Sequence, residues 1–354
     1  MKNTILALSL LVLLSLMAAC GNNNPASDAG TGNAANTADA ANAANSSAAG
    51  NQPAENTTAE TGNQPAETAE EPSAATRTVK YLDKEYVLPA KTERIVITGA
   101  VEAMEDAIVL DVNPVGAITF SGVFPPMFQS ITQGTESVGE KIEPNFEKIL
   151  SLKPDVILGS TKFKPEVAEK LEKIAPTIPY SHIATNWEAN LQLLGELSGK
   201  QEQAAKAIAD YKADLEAAKS QLGDKLKGKK VVAARIRGGE IYIYPASVFF
   251  NPVLYEDLGL DVPAEVTAAK AQEAVSVEKF AEMNPDYMFI QFAEDENKDK
   301  PKALEELQNN PILKNVSALK NGKAFVNVVD PLAQGGTAYS KIEFLKAAVA
   351  NLAQ

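Results

Sequence analysis

The sequence has few of the residues from which catalytic and metal sites are built. Its 354 residues include one histidine, His182, and one cysteine, Cys20. His182 stands at a strand end, where a structural role is the favoured interpretation. No Ser-His-Asp triad, Cys-His pair, histidine-rich metal site or disulfide is therefore expected, and Gly-rich nucleotide-binding patterns are absent as well. A carboxylate-only mechanism stays open, but no acidic pair stands out, so we predict a protein that is not an enzyme.

Long apolar runs are also scarce, and the one at the N-terminus is too short to span a membrane. A short basic start precedes Ile5–Met17, and Ala18-Ala19-Cys20 follow. This order predicts a secretory signal over residues 1–19. The cysteine position resembles a lipobox, in which the thiol is diacylated, although Met17 replaces the usual leucine. We expect Cys20 to anchor the chain at the outer face of the cell membrane; a plain signal with an incidental cysteine is the alternative.

Basic residues are outnumbered. The chain has 33 Lys and Arg against 46 Asp and Glu, which gives a formal net charge of −13. A nucleic-acid partner would require a basic patch and a high isoelectric point, so none is expected. Seven of the acidic residues lie in 21–76, a segment without a basic residue. Because this segment has almost no large apolar side chain, it cannot offset its ordering entropy. Residues 20–76 are predicted to form a lipidated cysteine and a disordered tether.

Residues 77–354 alternate strand and helix patterns, which is typical of parallel sheets covered on both faces. The sequence predicts an opening hairpin over Thr78–Leu88, helices at Val101–Leu110 and Pro165–Ile174, and strands at Arg94–Thr98, Val115–Thr119, Asp155–Gly159, Lys229–Arg235 and Tyr287–Ile290. The length suits two cores better than one. We predict an α/β fold with two Rossmann-like lobes, residues 77–185 and 223–354, joined by one long α-helix within 186–222.

A repeat with a spacing of 131 residues relates the two halves. Asn145–Leu158 and Ser276–Phe289 each contain a cap, a Glu-Lys pair, a short helix, Pro-Asp and a strand. Asn145 and Ser276 are favourable N-caps. One copy in each half supports two similarly built lobes.

The segment between the lobes has a sustained helical pattern. Thr185 and Glu188 are spaced as a capping box, and apolar residues keep a helical period to about Gln221. Gly195 and Ser198-Gly199 interrupt the pattern, so one helix or two both stay open. A helix of about 24 residues would be about 36 Å long, which is enough to join two lobes.

Ligands of open α/β sheets bind outside the carboxyl ends of the strands. The cations and aromatic or amide residues that follow predicted strands are Lys162, Phe163, Arg235, Arg237, Phe120, Phe124, Gln291 and Phe292. Such a set on an acidic protein favours a bulky, anionic, aromatic ligand, because Arg and Lys bond anionic oxygens and also pack on ring faces. The alternative is that each lysine is a solvated surface charge.

Glu147 and Glu278 occupy equivalent places in the repeat, two residues after each cap. A carboxylate in the first helical turn interacts favourably with the helix dipole, which explains either glutamate alone. A second interpretation is that each glutamate docks onto a membrane partner with two-fold symmetry.

Several short segments together resemble the class III periplasmic-binding-protein type, in which one long helix joins two lobes and which serves siderophore and vitamin B12 importers. They are Glu93–Val96, Val138-Gly139, Pro144–Ile149, Lys153–Asp155, Tyr255–Gly259, Ser276–Lys279 and Asn321–Phe325. The resemblance covers essentially all of 77–354. It implies that Glu147 and Glu278 contact arginines of an ABC permease, which works with its ATPase, and that the protein is a monomer without turnover.

Within this family the sequence is similar to Gram-positive lipoproteins that bind iron(III) complexes of tris-catecholate siderophores. The resemblance implies a basic trio of Lys141, Lys162 and Arg237 that holds the catecholates. The further contacts that it implies are Arg235, Lys270 and Gln272. Three catecholates around iron(III) leave a net charge of about −3, which three cations would offset. The ligand would be a preformed ferric siderophore, with no protein ligand to the iron and no cofactor.

Other ligands and other classes stay open. Hydroxamate or citrate siderophores are the nearest alternatives, followed by a corrinoid or haem. A zinc or manganese receptor would require several histidines. A cell-wall enzyme or an adhesin is also compatible with a lipobox and a tether, but would not require the paired Glu-Lys repeat.

Overall fold

The computed structural model of the protein describes residues 75–353. The predictions for the signal segment 1–19, for Cys20 and for nearly all of the tether fall outside the described residues. Within 75–353, no helix is long and apolar enough to cross a membrane.

The described chain opens with an antiparallel hairpin of β1 (Thr76–Tyr81) and β2 (Lys84–Pro89), as predicted. Its alternating pattern buries Val79, Tyr81 and Leu88. Burial of a side chain such as Val79 or Leu88 stabilises the fold by about 1.5–3 kcal/mol. The inward face of the hairpin therefore holds it on the first lobe.

The first lobe is built on a five-stranded parallel sheet with strand order β5-β4-β3-β6-β7. Its strands are β3 (Ile95–Thr98), β4 (Gly116–Thr119), β5 (Glu136–Glu140), β6 (Val156–Ser160) and β7 (Thr177–Tyr180). Its helices are α1 (Val101–Leu110), α2 (Phe146–Ser151) and α3 (Pro165–Glu172). β3, β4 and β6 are buried along their whole length, which explains their continuous apolar sequences.

The helical segment after the first lobe forms two helices, α4 (Trp187–Ser198) and α5 (Gln201–Leu222). Gly199 ends α4 with a φ of 72°, in the left-handed region that favours glycine. The capping-box prediction at 185–188 is wrong: the N-cap is Asn186, which makes no side-chain capping bond. The reason is that Ala184–Asn186 form a 3₁₀ turn that runs directly into α4. α5, about 33 Å long at 1.5 Å per residue, is the long helix that joins the lobes.

The second lobe has a mixed five-stranded sheet with strand order β10-β9-β8-β11-β12. Its strands are β8 (Val231–Arg237), β9 (Glu240–Ile243), β10 (Glu273–Val275), β11 (Tyr287–Phe292) and β12 (Ala324–Val326). Its helices are α6 (Ala264–Ala268), α7 (Val277–Met283), α8 (Ala303–Asn309), α9 (Ser317–Lys320) and α10 (Ala338–Leu352). β8, β11 and β12 are parallel, whereas β9 is antiparallel to both of its neighbours.

The last helix returns to the first lobe, where α10 packs against α1, α4 and α5. The wholly buried Glu105 and Asp106 of α1 accept hydrogen bonds from its first turn. Ala338 N donates to Asp106 Oδ1 over 3.0 Å, and the hydroxyls of Thr337 and Ser340 each donate to Glu105 Oε2 over 2.5 Å. Two buried carboxylates therefore join the first lobe to the C-terminal helix.

Burial raises the pKa of Glu105 to about 7 and that of Asp106 to about 8. The folded protein therefore keeps protons that the unfolded chain has released, and its free energy of unfolding should fall as pH rises from about 5 to 8, by about 1.4 kcal/mol per pH unit for each group that stays protonated. Asp106→Asn, whose amide can still bond Ala338 N and Tyr180 Oη, should flatten this pH dependence. Urea unfolding at several pH values measures it.

The matched control for that measurement is Asp214→Asn, which removes an exposed carboxylate from α5. Its pH dependence should match that of the wild type. A variant at Asp106 that keeps the wild-type slope would show that Asp106 is ionised in the folded protein throughout this pH range.

Candidate functional site

Lys162 follows the carboxyl end of β6, as its sequence position predicts. Its backbone N–H donates to Ser160 Oγ over 3.1 Å, which fixes the turn that leaves the strand. Its Nζ lies 3.3 Å from Oε1 of the buried Glu102, in the first turn of α1. Half of the Lys162 side chain stays exposed, so this ammonium remains accessible to a ligand.

Lys141 follows β5 and reaches the other lobe. Its Nζ lies 3.5 Å from Gln334 Oε1 in the segment before α10. Gln334 N in turn donates to Glu105 Oε1 over 2.7 Å. Lys298 makes a second contact between the lobes, with its Nζ 3.4 Å from Ser121 Oγ. These contacts place Lys141 at the junction of the two lobes.

The groups that shift the pKa of Lys141 include the other predicted cations. Burial lowers the pKa of Lys141. The Glu102 carboxylate opposes this effect, while Lys162, Arg235 and Arg237 add to it by repulsion. Because such interactions require proximity, the four cations lie near one another, two of them on each lobe. The junction of the lobes beside these four residues is called the cleft below.

An aromatic side chain lies beside these cations. Phe163 packs on Gly99 at the end of β3, where a Cβ would lie 2.2 Å from Phe163 Cζ and 3.0 Å from the Lys141 carbonyl oxygen. Gly99 also has a φ of +69°. A glycine is therefore required for the ring of Phe163 and the backbone of Lys141 to approach β3 this closely.

The second lobe contributes a compact polar cluster at the end of β8. Arg235 donates from Nε and NH2 to Glu296 over 2.7 and 2.9 Å, and Arg237 NH2 lies 2.9 Å from Glu296 Oε1. Arg237 NH1 donates to Gln272 Oε1 over 3.0 Å, and Tyr244 Oη donates to the same oxygen over 3.2 Å. The Arg235 side chain is 10% exposed and that of Arg237 is 41% exposed. Arg237 is therefore the more accessible of the two cations.

Burial raises the pKa of Tyr244, and the positive charges of Arg235 and Arg237 oppose that increase. Tyr244 is therefore a neutral hydroxyl donor beside the two arginines. Lys270 and Gln272 are exposed in the turn between α6 and β10. Gln272 joins the arginine cluster through its hydrogen bonds, and Lys270 lies two residues before it in the chain.

The paired glutamates lie on the helices that the repeat predicts. Asn145 Oδ1 accepts from Lys148 N over 3.0 Å, and Ser276 Oγ accepts from Lys279 N over 3.2 Å. Both predicted N-caps are confirmed, and each is worth about 1 kcal/mol relative to alanine. Glu147 and Glu278 are exposed in the first turns of α2 and α7, so both carboxylates are available to a partner.

Two other residues predicted to face the ligand lie in the interior instead. Gln291 is 3% exposed and donates from Nε2 to the Ala333 carbonyl oxygen over 2.9 Å. Phe292 is buried in the apolar core of the second lobe. Phe120 and Phe124 are half-buried against the core of the first lobe. A position near a strand end therefore does not by itself decide which way a side chain points.

His182 is exposed beside the cleft, and its Nδ1 lies 2.6 Å from Thr161 Oγ1. Burial lowers its pKa, and the nearby Lys162 ammonium lowers it further. Within residues 75–353, no three His, Cys, Asp or Glu side chains are grouped so as to hold a metal ion.

Three polar residues of the cleft were missed in the sequence: Glu102, Glu296 and Gln334. Glu102 and Glu296 each lie within four residues of the carboxyl end of a buried strand. The strand-end rule predicts both positions if it is applied to carboxylates as well as to cations. Gln334 has no such signal, because it reaches the cleft only through the packing of the segment before α10.

Two α/β lobes that share a cationic cleft, joined by a long helix, define a two-lobed solute-binding protein. The chain belongs to the periplasmic binding protein family, whose model matches residues 132–327. It is 54% identical over 301 residues to the iron-uptake system-binding protein of Bacillus subtilis, an alignment that covers 84% of this chain and 95% of that protein.

Solved structures agree with this family and with the predicted fold. The triscatecholate siderophore binding protein FeuA from Bacillus subtilis, complexed with ferri-bacillibactin, superposes with a TM-score of 0.74 at 56% identity, covering 78% of this chain and 98% of that one. Staphylococcus aureus SirA, complexed with staphyloferrin B, superposes with a TM-score of 0.66 at 23% identity, covering 78% of this chain and 98% of that one. The second match supports the fold alone.

Proposed function

We propose that this chain captures a ferric tris-catecholate siderophore outside the cytoplasm and delivers it to an ABC importer. The observation that carries the proposal is the cluster of Lys141, Lys162, Arg235 and Arg237, contributed by both lobes to one cleft. Its two carboxylates, Glu102 and Glu296, leave the cluster with a net positive charge. A ferric tris-catecholate carries about −3 and presents anionic oxygens on aromatic rings, which match ammonium and guanidinium donors.

The ligand enters as a preformed complex. Three catecholates occupy all six coordination positions of iron(III), so the protein has no iron ligand to supply. Lysine and arginine are donors without free lone pairs, which suits them to bond the catecholate oxygens rather than the metal. Ligand capture of this kind involves no turnover and no cofactor.

Hydroxamate complexes are the alternative that the charge of the cleft disfavours. Three hydroxamates neutralise iron(III) completely, so a tris-hydroxamate complex would not offset the net positive charge that remains after Glu102 and Glu296 are counted. The 56% identity to FeuA, which binds a triscatecholate siderophore, also supports the catecholate. Ferric citrate, a corrinoid and haem serve as comparison ligands in the titration described below.

Delivery would use the exposed glutamates of the repeat. Glu147 and Glu278 stand one on each lobe, so together they suit a permease whose two halves present basic side chains. The permease would work with its ATPase, and the receptor would act as a monomer. Cys20, acylated at the outer face of the membrane, would keep the receptor near the importer, since two acyl chains hold a protein durably.

A panel of ferric complexes tests the ligand. Calorimetric titration should give an affinity for ferric bacillibactin or enterobactin at least tenfold higher than for a tris-hydroxamate or ferric citrate. The gallium(III) complex of the same catecholate is the matched control, because it has the same charge and geometry and should bind equally well. Equal affinity for the catecholate and the hydroxamate complexes would contradict the proposal.

A further inference from the structure

One carboxylate contacts both arginines of the cleft, and as a hydrogen-bond acceptor it cannot bond an anionic ligand itself. Glu296 accepts from Nε and NH2 of Arg235, and its Oε1 also lies 2.9 Å from Arg237 NH2. Its side chain is only 19% exposed. A carboxylate in a cleft that binds anions weakens the attraction for them, so its position requires an explanation.

The segment that carries Glu296 is fixed to the arginine strand. The carbonyl oxygen of Glu296 accepts from Gly238 N over 2.9 Å. Asn297, wholly buried, donates from Nδ2 to the Ile236 carbonyl oxygen over 2.9 Å and accepts from Gly239 N over 3.0 Å. These bonds join the 3₁₀ turn at residues 294–297 to the connection between β8 and β9. The carboxylate is therefore held rigidly relative to the arginines.

The two arginines use this carboxylate differently. Arg235 forms a two-point ion pair with it and is almost completely buried. Arg237 contacts it with one terminal nitrogen and contacts Gln272 with the other, and 41% of its side chain is exposed. An arginine held at both terminal nitrogens has already lost the rotamer freedom that it would otherwise lose on binding.

We propose that Glu296 is a positioning residue for ligand capture. It holds the plane of the Arg237 guanidinium toward the cleft. Arg235 is the counter-ion of Glu296 and keeps that carboxylate in place. The ligand class follows from the proposed function, on which this inference rests: a bulky anion with several charged oxygens on rings. Glu296 thus lowers the net positive charge of the cleft but fixes the orientation of the Arg237 guanidinium. A fixed guanidinium favours ligands whose oxygens match its orientation.

The substitution Glu296→Gln separates positioning from simple charge screening. It raises the net positive charge, so a screening role predicts tighter binding. A positioning role predicts weaker binding of ferric bacillibactin, by at least fivefold. Asp295→Asn is the matched control, because it removes the same charge from an exposed side chain of the same turn, whose partner is Lys298. It should stay within twofold of the wild type.

Glu296→Asp keeps the charge but withdraws the carboxylate by one methylene, and it should bind more weakly than the wild type and more tightly than Glu296→Gln. Thermal unfolding shows whether each variant folds. If Glu296→Gln does not fold, the affinity of Glu296→Asp is compared with that of the wild type instead. Affinity of Glu296→Gln equal to or above that of the wild type would overturn the proposal.

A measurement without ligand separates this inference from the proposed function. In the unliganded protein, ¹⁵N relaxation of the Arg237 Nε–H should report an ordered side chain in the wild type and in Asp295→Asn, and a more mobile one in Glu296→Gln. Unchanged order in Glu296→Gln would overturn the positioning role. If the wild type binds no member of the siderophore panel, the proposed function fails, while the relaxation data still decide the role of Glu296.

Discussion

The double variant Glu147→Ala/Glu278→Ala is expected to bind a ferric tris-catecholate with wild-type affinity and yet to support no iron uptake by cells. Both carboxylates are exposed in first helical turns, outside the cluster of cations in the cleft. Their removal should therefore leave the ligand site unchanged and delete one docking contact from each lobe. Titration of the purified variant and uptake of radiolabelled iron by cells that depend on it measure the two effects.

The control for this variant addresses the helix dipole. A first-turn glutamate stabilises its helix by about 0.3–1 kcal/mol, so a small loss of stability alone could reduce uptake. Glu202→Ala/Glu305→Ala removes exposed first-turn glutamates from α5 and α8 and should leave uptake intact. Loss of ligand affinity in the Glu147/Glu278 variant, or normal uptake by it, would contradict the docking role.

The second large effect is expected for Lys162→Ala/Arg237→Ala, which should weaken binding of a ferric tris-catecholate by at least tenfold. The Lys162 and Arg237 side chains are 50% and 41% exposed, against 10% for Arg235, and they come from opposite lobes. Hydrogen bonds to charged groups are worth about 1.5–3 kcal/mol each. Part of this is offset, because Lys162 already pairs with Glu102 and Arg237 with Glu296. A tenfold loss corresponds to about 1.4 kcal/mol and is therefore a lower bound.

The matched control is Lys173→Ala/Lys320→Ala, which removes the same charge from exposed side chains. Lys173 follows α3 and Lys320 ends α9, and each precedes a strand, so both lie toward the amino ends of the sheets. This variant should bind nearly as well as the wild type, and calorimetry of both variants at two salt concentrations checks the comparison. Wild-type affinity of Lys162→Ala/Arg237→Ala would show that the basic trio is wrongly assigned.

Features that depend on neighbouring residues were predictable from the sequence. Asn145 and Ser276 cap their helices because the bond closes within three residues, so the pattern contains the whole interaction. The buried strands β3, β6 and β8 follow equally from short apolar runs. The cations Lys162 and Arg237 were found because parallel strands bring their carboxyl ends to one edge of a sheet.

Features that depend on distant packing were not predictable in this way. Gly195 and Gly199 both interrupt the helical pattern, but Gly195 stays inside α4, where a Cβ would lie 2.9 Å from Ala204 Cβ of α5. Gly199 ends the helix with a φ of 72°. Gln291 follows the strand-end rule and yet bonds the Ala333 carbonyl oxygen in the interior. The contact of Gln334 with Lys141 depends on the path of the chain before α10, which no local pattern encodes.

The return of α10 to the first lobe makes the stability of that lobe depend on the C-terminal end of the chain. Glu105 and Asp106 belong to the first third of the chain, but Gln334, Thr337, Ala338 and Ser340 donate to them from its last 21 residues. Without this end, Glu105 loses its bonds from Gln334, Thr337 and Ser340, while Asp106 keeps the bond from Tyr180 Oη. Burying a carboxyl group without its hydrogen bonds costs several kcal/mol, so the first lobe cannot reach its final stability until the last helix has docked on it.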